Sequence, residues 1–308
     1  MVNPRATTTS PRVVDVIVHA FSDQLELDVT VTTHKGHGEA LGARAREEGV
    51  DVVVTLGGDG VVHEVVNGML QSTAPNPVPL LATVPGGSAN VFARSIGLPN
   101  DAVEATGQLL EALRAGRTRA VGLGTANERW FLVNAGLGID AEIIAAMERH
   151  RKAGRGASPV RYLSTTLNEY FRATDRRSPA LTLSREAADG GHERLEGAYL
   201  AFVQNTSPWT YFGTFALNPS PRASLDTGLD VFAVRNMRVP SALLAARRIV
   251  TGKGGDRLGK GALVSWHDVP AFTITASRPV EFQIDGEGLG PVSEVAFTAH
   301  PQALRVAV

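Results

Sequence analysis

Asp51-Val-Val-Val-Thr-Leu-Gly-Gly-Asp-Gly60 decides the fold. The β-branched run from Asp51 to Leu56 reads as a buried strand. It stops at Gly57, Gly58 and Gly60, which surround one carboxylate, Asp59. Val62, Val65, Val66 and Met69 then recur at helical spacing. Strand, glycine turn and helix are the layout of a phosphate-binding loop. Glycines let backbone N–H groups approach phosphate oxygens, and a helix N-terminus supplies positive potential. Asp59 adds a carboxylate that could hold Mg²⁺ near those phosphates. The alternative is a turn aspartate with only a local side-chain hydrogen bond.

Working outward, Leu80 to Val84 reads as a second short strand. It runs into Pro85-Gly86-Gly87-Ser88-Ala89-Asn90, and a helix over Val91 to Ile96 is closed by Gly97 and Pro99. Two successive glycine-rich strand-to-helix turns suggest one composite nucleotide site. The pair is more specific than either turn alone. Upstream, the reading is a helix over Pro11 to Ala20, a strand over Leu27 to Thr32, a turn at Thr33 to Gly38 and a helix over Glu39 to Glu48. Asp101 to Ala115 is a further helix. This alternation argues for a parallel α/β sheet, whose ligands sit beyond the C-terminal ends of the strands.

After about residue 120 the pattern changes. Val-, Phe- and Thr-rich segments recur at Arg119 to Gly124, Trp130 to Ala135, Ala180 to Ser184 and Glu196 to Gln204. They continue at Leu229 to Val234, Ala271 to Ala276, Val280 to Ile284 and Val295 to Ala299. Gly, Pro and Asp turns separate them, so a mainly antiparallel second domain is expected. Helices are expected near Glu142 to Arg149, Val160 to Ala173 and Ser241 to Val250.

The 308 residues allow one large or two medium domains, and 43% hydrophobic content suffices for a core. A net charge of −1 points to no broad nucleic-acid binding. The chain has no cysteine, which excludes disulfides, Cys-based metal sites and a Cys nucleophile and fits a reducing compartment. No apolar run approaches the ~18 residues of a membrane span. The opening MVNPRATTTSP lacks the apolar core of a signal peptide.

GGDG followed by Glu64 and Asn67-Gly68, then PGGSAN with Phe92 to Arg94, resembles the diacylglycerol kinase catalytic domain family, which includes bacterial lipid kinases and the sphingosine and ceramide kinases. The likeness continues at Asn134 to Ala141, Asp226 to Asp230 and Asp285-Gly286-Glu287. It implies an α/β fold of two domains. One is an N-terminal three-layer parallel nucleotide-binding domain, residues 1–120, with a tail from about 293 to 308 packing back. The other is a mainly antiparallel lipid-substrate domain, residues 121–292, with the nucleotide between the two. It also implies ATP-dependent phosphorylation of a lipid hydroxyl, diacylglycerol to phosphatidate first. Sphingosine or ceramide is the alternative acceptor, and a catalytically impaired nucleotide-binding regulator is the alternative of another class. The implied partners are ATP, Mg²⁺, a lipid substrate at the membrane surface and a possible second copy, with no nucleic acid. The implied location is cytoplasmic, peripheral at the inner membrane face.

The resemblance assigns Thr33, Gly57, Gly58, Asp59, Gly60, Glu64, Gly86, Gly87, Ser88 and Asn90 to the nucleotide. Otherwise Glu64 is a solvated first-turn residue and Asn90 a helix N-cap. It makes Glu287 the candidate general base, with Asp285 beside it on a metal–water network and Asp59 holding phosphates and Mg²⁺. Read alone, Asp285-Gly286 is a hairpin turn. Asp226 becomes a candidate metal ligand, or else a plain turn residue. Val61 and His63 depart from the family's usual Thr and Asn, and a lost hydroxyl could weaken phosphate or metal contact. Asn3-Pro4 resembles a loop that normally follows a first strand, yet only Met1 and Val2 precede it. That strand is nearly absent, or the start lies too far downstream. Gly136 to Ala141 mimics a dinucleotide fingerprint without the ribose carboxylate, and Gly254 to Gly261 mimics a Walker loop without its final Ser or Thr. A basic cluster from Arg149 to Arg177 brackets an apolar segment and reads as a solvated face or as an anionic-membrane contact.

Overall fold

The computed structural model describes residues 1–4, 10–138, 179–186, 190–212, 215–236, 238–253 and 261–308. The expected helices at 142–149 and 160–173, the basic cluster at 149–177, residues 139–141 and the loop 254–260 lie outside them. The chain divides into two compact units, Met1–Leu123 with Pro301–Val308, and Gly124–His300.

The first unit carries helices α1 (Pro11–Ser22), α2 (His37–Glu47), α3 (Asp59–Gln71), α4 (Val91–Ser95) and α5 (Ala102–Ala115). Its strands β1 (Val52–Gly57) and β2 (Leu80–Pro85) run parallel, with Gly57 opposite Pro85. Both glycine turns therefore leave the same edge of the sheet. Near the end of the chain, Val306 pairs parallel with Leu81. Asp101 caps α5 by accepting from Val103 N and Glu104 N at 2.9 Å each, and Gly116 ends it at φ 64°. The expected strand over Leu27 to Thr32 is absent. Only Val31 makes a ladder contact, a parallel bridge to Val2, which also bridges Leu56. Among the described residues the segment's only ladder pairing is this single bridge, too little to form a strand.

Helices α2 and α3 lie unusually close. A Cβ on Gly42 would run into the Val65 carbonyl, and one on Gly68 into the Glu39 carbonyl. Only glycine lets these backbones meet.

The second unit is built on antiparallel strands. The chain enters it along β3 (Thr118–Ala126), which turns through Asn127-Glu128 into β4 (Arg129–Phe131). β5 (Asn134–Gly138), β6 (Leu181–Glu186), β7 (His192–Ala198), β8 (Leu200–Gln204) and the hairpin β9 (Thr210–Phe212) with β10 (Phe215–Leu217) follow. Then come β11 (Leu229–Val234), helix α6 (Val239–Thr251), β12 (Leu263–Val269), β13 (Ala271–Ile284) and β14 (Glu287–Ala307). The pairing order is β13, β5, β8, β11, β12, and β6 joins β13 to β7. The core is aromatic: Phe272 stacks on Phe297 at 4.9 Å, and Phe131 meets Phe297 edge-on at 6.2 Å.

Several expected strands differ in extent. Trp130 to Ala135 is two strands, because the Leu132 and Val133 N–H groups turn to the Asp285 carboxylate instead of a neighbouring strand. Glu196 to Gln204 is also two, broken at Tyr199, with Gly197 at φ 81° just before the end of the first. Ala271 to Ile284 is one strand with a register shift between Thr275 and Val280. β12 and the β9–β10 hairpin have no counterpart in the sequence reading.

The close approach of α2 and α3 sets a stability test. Gly68→Ala is expected to cost about 1–3 kcal/mol through overpacking. Gly107→Ala on α5, where an added Cβ meets nothing within 4 Å, is expected to stabilise by about 0.5–1 kcal/mol through helix propensity. Chemical denaturation of both variants checks the opposite signs.

Candidate active site

In the first unit, the two glycine turns touch backbone to backbone. Gly86 N donates to Gly57 O at 2.8 Å. A Cβ on Gly87 would lie 2.6 Å from the Gly58 Cα, and one on Gly58 would lie 3.1 Å from the Gly87 Cα. A Cβ on Gly57 would come within 2.5 Å of Val61 Cγ1. Gly60 has open space where a side chain would be and is exposed, as are Ser88 and Thr33.

The carboxylates fasten this arrangement. Asp59 Oδ2 accepts from Val91 N and Oδ1 from Phe92 N, both at 3.0 Å. Asp59, on the first residue of α3, thereby caps α4. Asn90 holds the cap position of α4 at φ 48°, but its side chain makes no cap bond. It accepts from Gly87 N and donates to Gly87 O and Asn100 Oδ1, each at 2.8 Å. This is where the simple N-cap reading of Asn90 fails: a carboxylate from the other loop does the capping. Glu64 is not a solvated first-turn residue either. Its Oε1 accepts from Gly36 N at 2.9 Å and its Oε2 from Gly38 N at 3.0 Å. That caps α2 and ties the Thr33 to Gly38 turn to α3. Thr33 Oγ1 lies 2.9 Å from His34 Nδ1 and 3.2 Å from His37 Nδ1, and the two rings stack at 4.9 Å. Val61 and His63 are buried in α3, 6% and 2% exposed, so neither departure faces the open end of the loop.

In the second unit, Asp285 and Gly286 join β13 to β14 with φ of 47° and 80°, the left-handed pair that a two-residue hairpin turn requires. The Asp285 side chain does more than close a turn. Its Oδ1 accepts from Val133 N at 2.9 Å and Asn134 N at 3.0 Å, and its Oδ2 from Leu132 N at 2.9 Å. A buried chain continues from it: Gly286 N donates to Gln283 Oε1, Gln283 Nε2 to Asn134 Oδ1, and Asn134 Nδ2 to Trp209 O. Glu287 lies 3.9 Å from the Arg129 guanidinium, both side chains being partly buried. Arg129 went unnoticed in the sequence. Its pairing with Glu287 spans more than half the chain, and no spacing rule reaches that far.

Asp226 sits in an exposed turn, where its N–H donates to Ser224 Oγ at 3.2 Å. Among the described residues no three His, Cys, Asp or Glu side chains gather as a metal-binding group. Four residues on, Asp230 is 3% exposed, 2.7 Å from His267 Nδ1, and accepts from Asp268 N at 3.1 Å. Burial pushes its carboxyl above the usual carboxylate range, and the bonds from Asp268 N–H and His267 only partly offset that.

Two outcomes are expected. Glu64→Ala removes two acceptors from the start of α2 and should cost about 1–2 kcal/mol by denaturation, with Glu64→Gln losing less. Asp230 binds its proton more tightly folded than unfolded. Its contribution favours the fold below about pH 4 and declines as pH rises through the raised pKa. Asp230→Asn should therefore gain stability relative to the parent as pH rises through that window, read by tryptophan fluorescence in urea.

The sequence profile of the diacylglycerol kinase catalytic domain matches residues 1–126. A "Probable lipid kinase YegS-like" protein of Chromohalobacter salexigens is 39% identical over 117 residues, 38% of this chain and 36% of its own length. One of the same description from Pseudomonas putida is 28% identical over 282 residues, 91% of this chain and 84% of its own. The match thus spans little more than a third of the first relative and most of the second. A crystal structure of a diacylglycerol kinase from Bacillus anthracis str. Sterne shares the fold. It has 19% identity and a TM-score of 0.71, covering 99% of this chain and 94% of that one. The glycine turns and their carboxylates all lie in residues 1–126, the region that matches the diacylglycerol kinase catalytic domain family.

Proposed function

We propose that this chain is an ATP-dependent lipid kinase, with diacylglycerol going to phosphatidate as the first-choice reaction. The observation that carries the reading is the backbone contact between Gly58 and Gly87 at the C-terminal ends of two parallel strands. A bare backbone cradle at the start of a 13-residue helix suits phosphate, because it offers N–H donors and positive potential. The match of residues 1–126 to the diacylglycerol kinase catalytic domain and the exposed Gly60, Thr33 and Ser88 support the nucleotide assignment. Gly57, Gly86 and Asn90 shape the cradle.

Asp59 is the residue proposed to hold Mg²⁺, directly or through water. Mg²⁺ is commonly bound by one or two carboxylates plus substrate phosphates, so a larger acidic cluster is not required. The ion would neutralise phosphate charge. Asp226, with carbonyls of its turn, is the proposed site of a structural cation.

Glu287 is proposed as the base that takes the proton from the lipid hydroxyl as its oxygen attacks the γ-phosphorus. Arg129 orients it. Asp285 acts chiefly by fixing the hairpin turn on which Glu287 stands. The burial of Val61 and His63 supports retained catalysis over a purely regulatory role.

ADP release from Mg-ATP in mixed micelles, with diacylglycerol, sphingosine or ceramide offered separately, tests the reading. Glu287→Gln should lower turnover about 10²–10⁴-fold while ATP binding and folding persist. Asp59→Asn should also lose turnover. A fully active Glu287→Gln protein would remove the base assignment, and ATP binding without turnover on any lipid would favour the regulator.

A further inference from the structure

The two most exposed large apolar side chains among the described residues both lie in the second unit: Leu243 on α6, 66% exposed, and Phe215 on β10, 64% exposed. β10 packs on α6, and Asn218 N, just beyond β10, donates to Ile249 O at 2.6 Å. On α6, Leu243, Arg247 and Val250 (49% exposed) stand at i, i+4 and i+7 and so share one outward face. The opposite face is accounted for. Ala245 and Ile249 pack on a cluster containing Phe202, Trp209 and Phe232, and Arg248 donates to Pro219 O and covers the Phe232 ring at 5.4 Å.

The charge within the two segments that build this surface has one sign. The segments Trp209 to Leu225 and Arg235 to Lys253 contain Arg222, Arg235, Arg238, Arg247, Arg248 and Lys253, and neither contains Asp or Glu. Arg235 is exposed and donates to Glu196 O at 2.8 Å. Arg238, Arg247 and Lys253 are exposed, at the two ends of α6 and within its apolar face.

We infer that the outward face of α6, together with the β9–β10 hairpin, docks onto an anionic lipid bilayer. Projecting Leu, Val and Phe side chains enter the acyl boundary, and the surrounding Arg and Lys side chains meet anionic headgroups. Apolar residues on one face of a helix with basic residues around them are the signature of an interfacial helix. Each basic residue near such a surface adds attraction that decays within a Debye length. A second copy of the same face would carry the same positive charge, which disfavours self-association. This surface is distinct from the glycine cradle and from Glu287. It deepens the lipid-kinase reading by naming where the chain meets the membrane that holds its substrate.

The absence of cysteine makes a direct test available. Leu243→Cys and Phe215→Cys are each labelled on the full chain with an environment-sensitive fluorophore. Val103→Cys on α5, 53% exposed, is the control. Vesicles of phosphatidylcholine alone, or mixed with phosphatidylglycerol, are added without nucleotide. The expected result is brighter, blue-shifted emission at positions 243 and 215 with the anionic vesicles only, reversed by high salt and absent at 103. Arg247→Gln in the labelled Phe215→Cys chain should weaken vesicle affinity about fivefold. No response to vesicles overturns the proposal. So does apolar-type emission before vesicles are added, which would mean that the chain itself covers the face, or a rise with protein concentration alone, which would mean a second copy. Turnover of a soluble short-chain diacylglycerol is measured alongside. Lost docking with retained turnover rejects this surface and leaves the kinase reading intact. Docking without turnover does the reverse.

Discussion

Two carboxylates on one helix hold the first unit's candidate site together. Asp59 and Glu64 both belong to α3, and each caps a different helix: Asp59 the start of α4, Glu64 the start of α2. A helix N-terminus has N–H groups without intrahelical partners and a partial positive charge, so an acceptor carrying negative charge is the favoured cap. Supplying both caps from α3 makes three segments that are distant in sequence move as one. The loop around Thr33, the turn at Gly58 and the turn at Gly87 owe their mutual position to these four hydrogen bonds.

The glycines follow from the same constraint. Once α4 and α2 are drawn onto α3, backbone must lie against backbone at Gly58 and Gly87, and again at Gly42 and Gly68. Any Cβ there would push the elements apart. The proposed phosphate cradle is thus a consequence of close packing as much as of loop flexibility. Asp285 applies similar logic in the second unit. One carboxylate gathers three consecutive N–H groups at residues 132 to 134, interrupts what would have been one strand, and fixes the turn that carries Glu287.

Residues that look like ligands in a motif can therefore be braces first. Asp59, Glu64, Asn90 and Asp285 all spend hydrogen-bonding capacity on backbone groups. Their arrangement leaves exposed backbone at Gly60 and an exposed hydroxyl at Ser88 on the rim of the cradle. The chemistry proposed for the site needs positioning and charge neutralisation more than a large set of side-chain ligands, and a rigid, mostly backbone surface suits that need.

The sequence by itself determined most element types, the order of the two glycine turns and the likeness of residues 1–126 to a catalytic domain family. These features are local: β-branched runs, helical spacing, and glycines beside a carboxylate are readable within a window of a dozen residues. It also carried the change from alternating helix and strand to a strand-rich half, since composition shifts with it. What only the tertiary structure decided are the partners. Leu27 to Thr32 has strand composition but finds one bridging residue, so no strand forms. Trp130 to Ala135 splits because Asp285, some 150 residues away, takes its N–H groups. Asn90 occupies a cap position without capping, and Arg129 meets Glu287 across most of the second unit. Each outcome depends on which groups compete for a hydrogen bond or an ion pair across the folded chain, and that competition has no signature in sequence spacing.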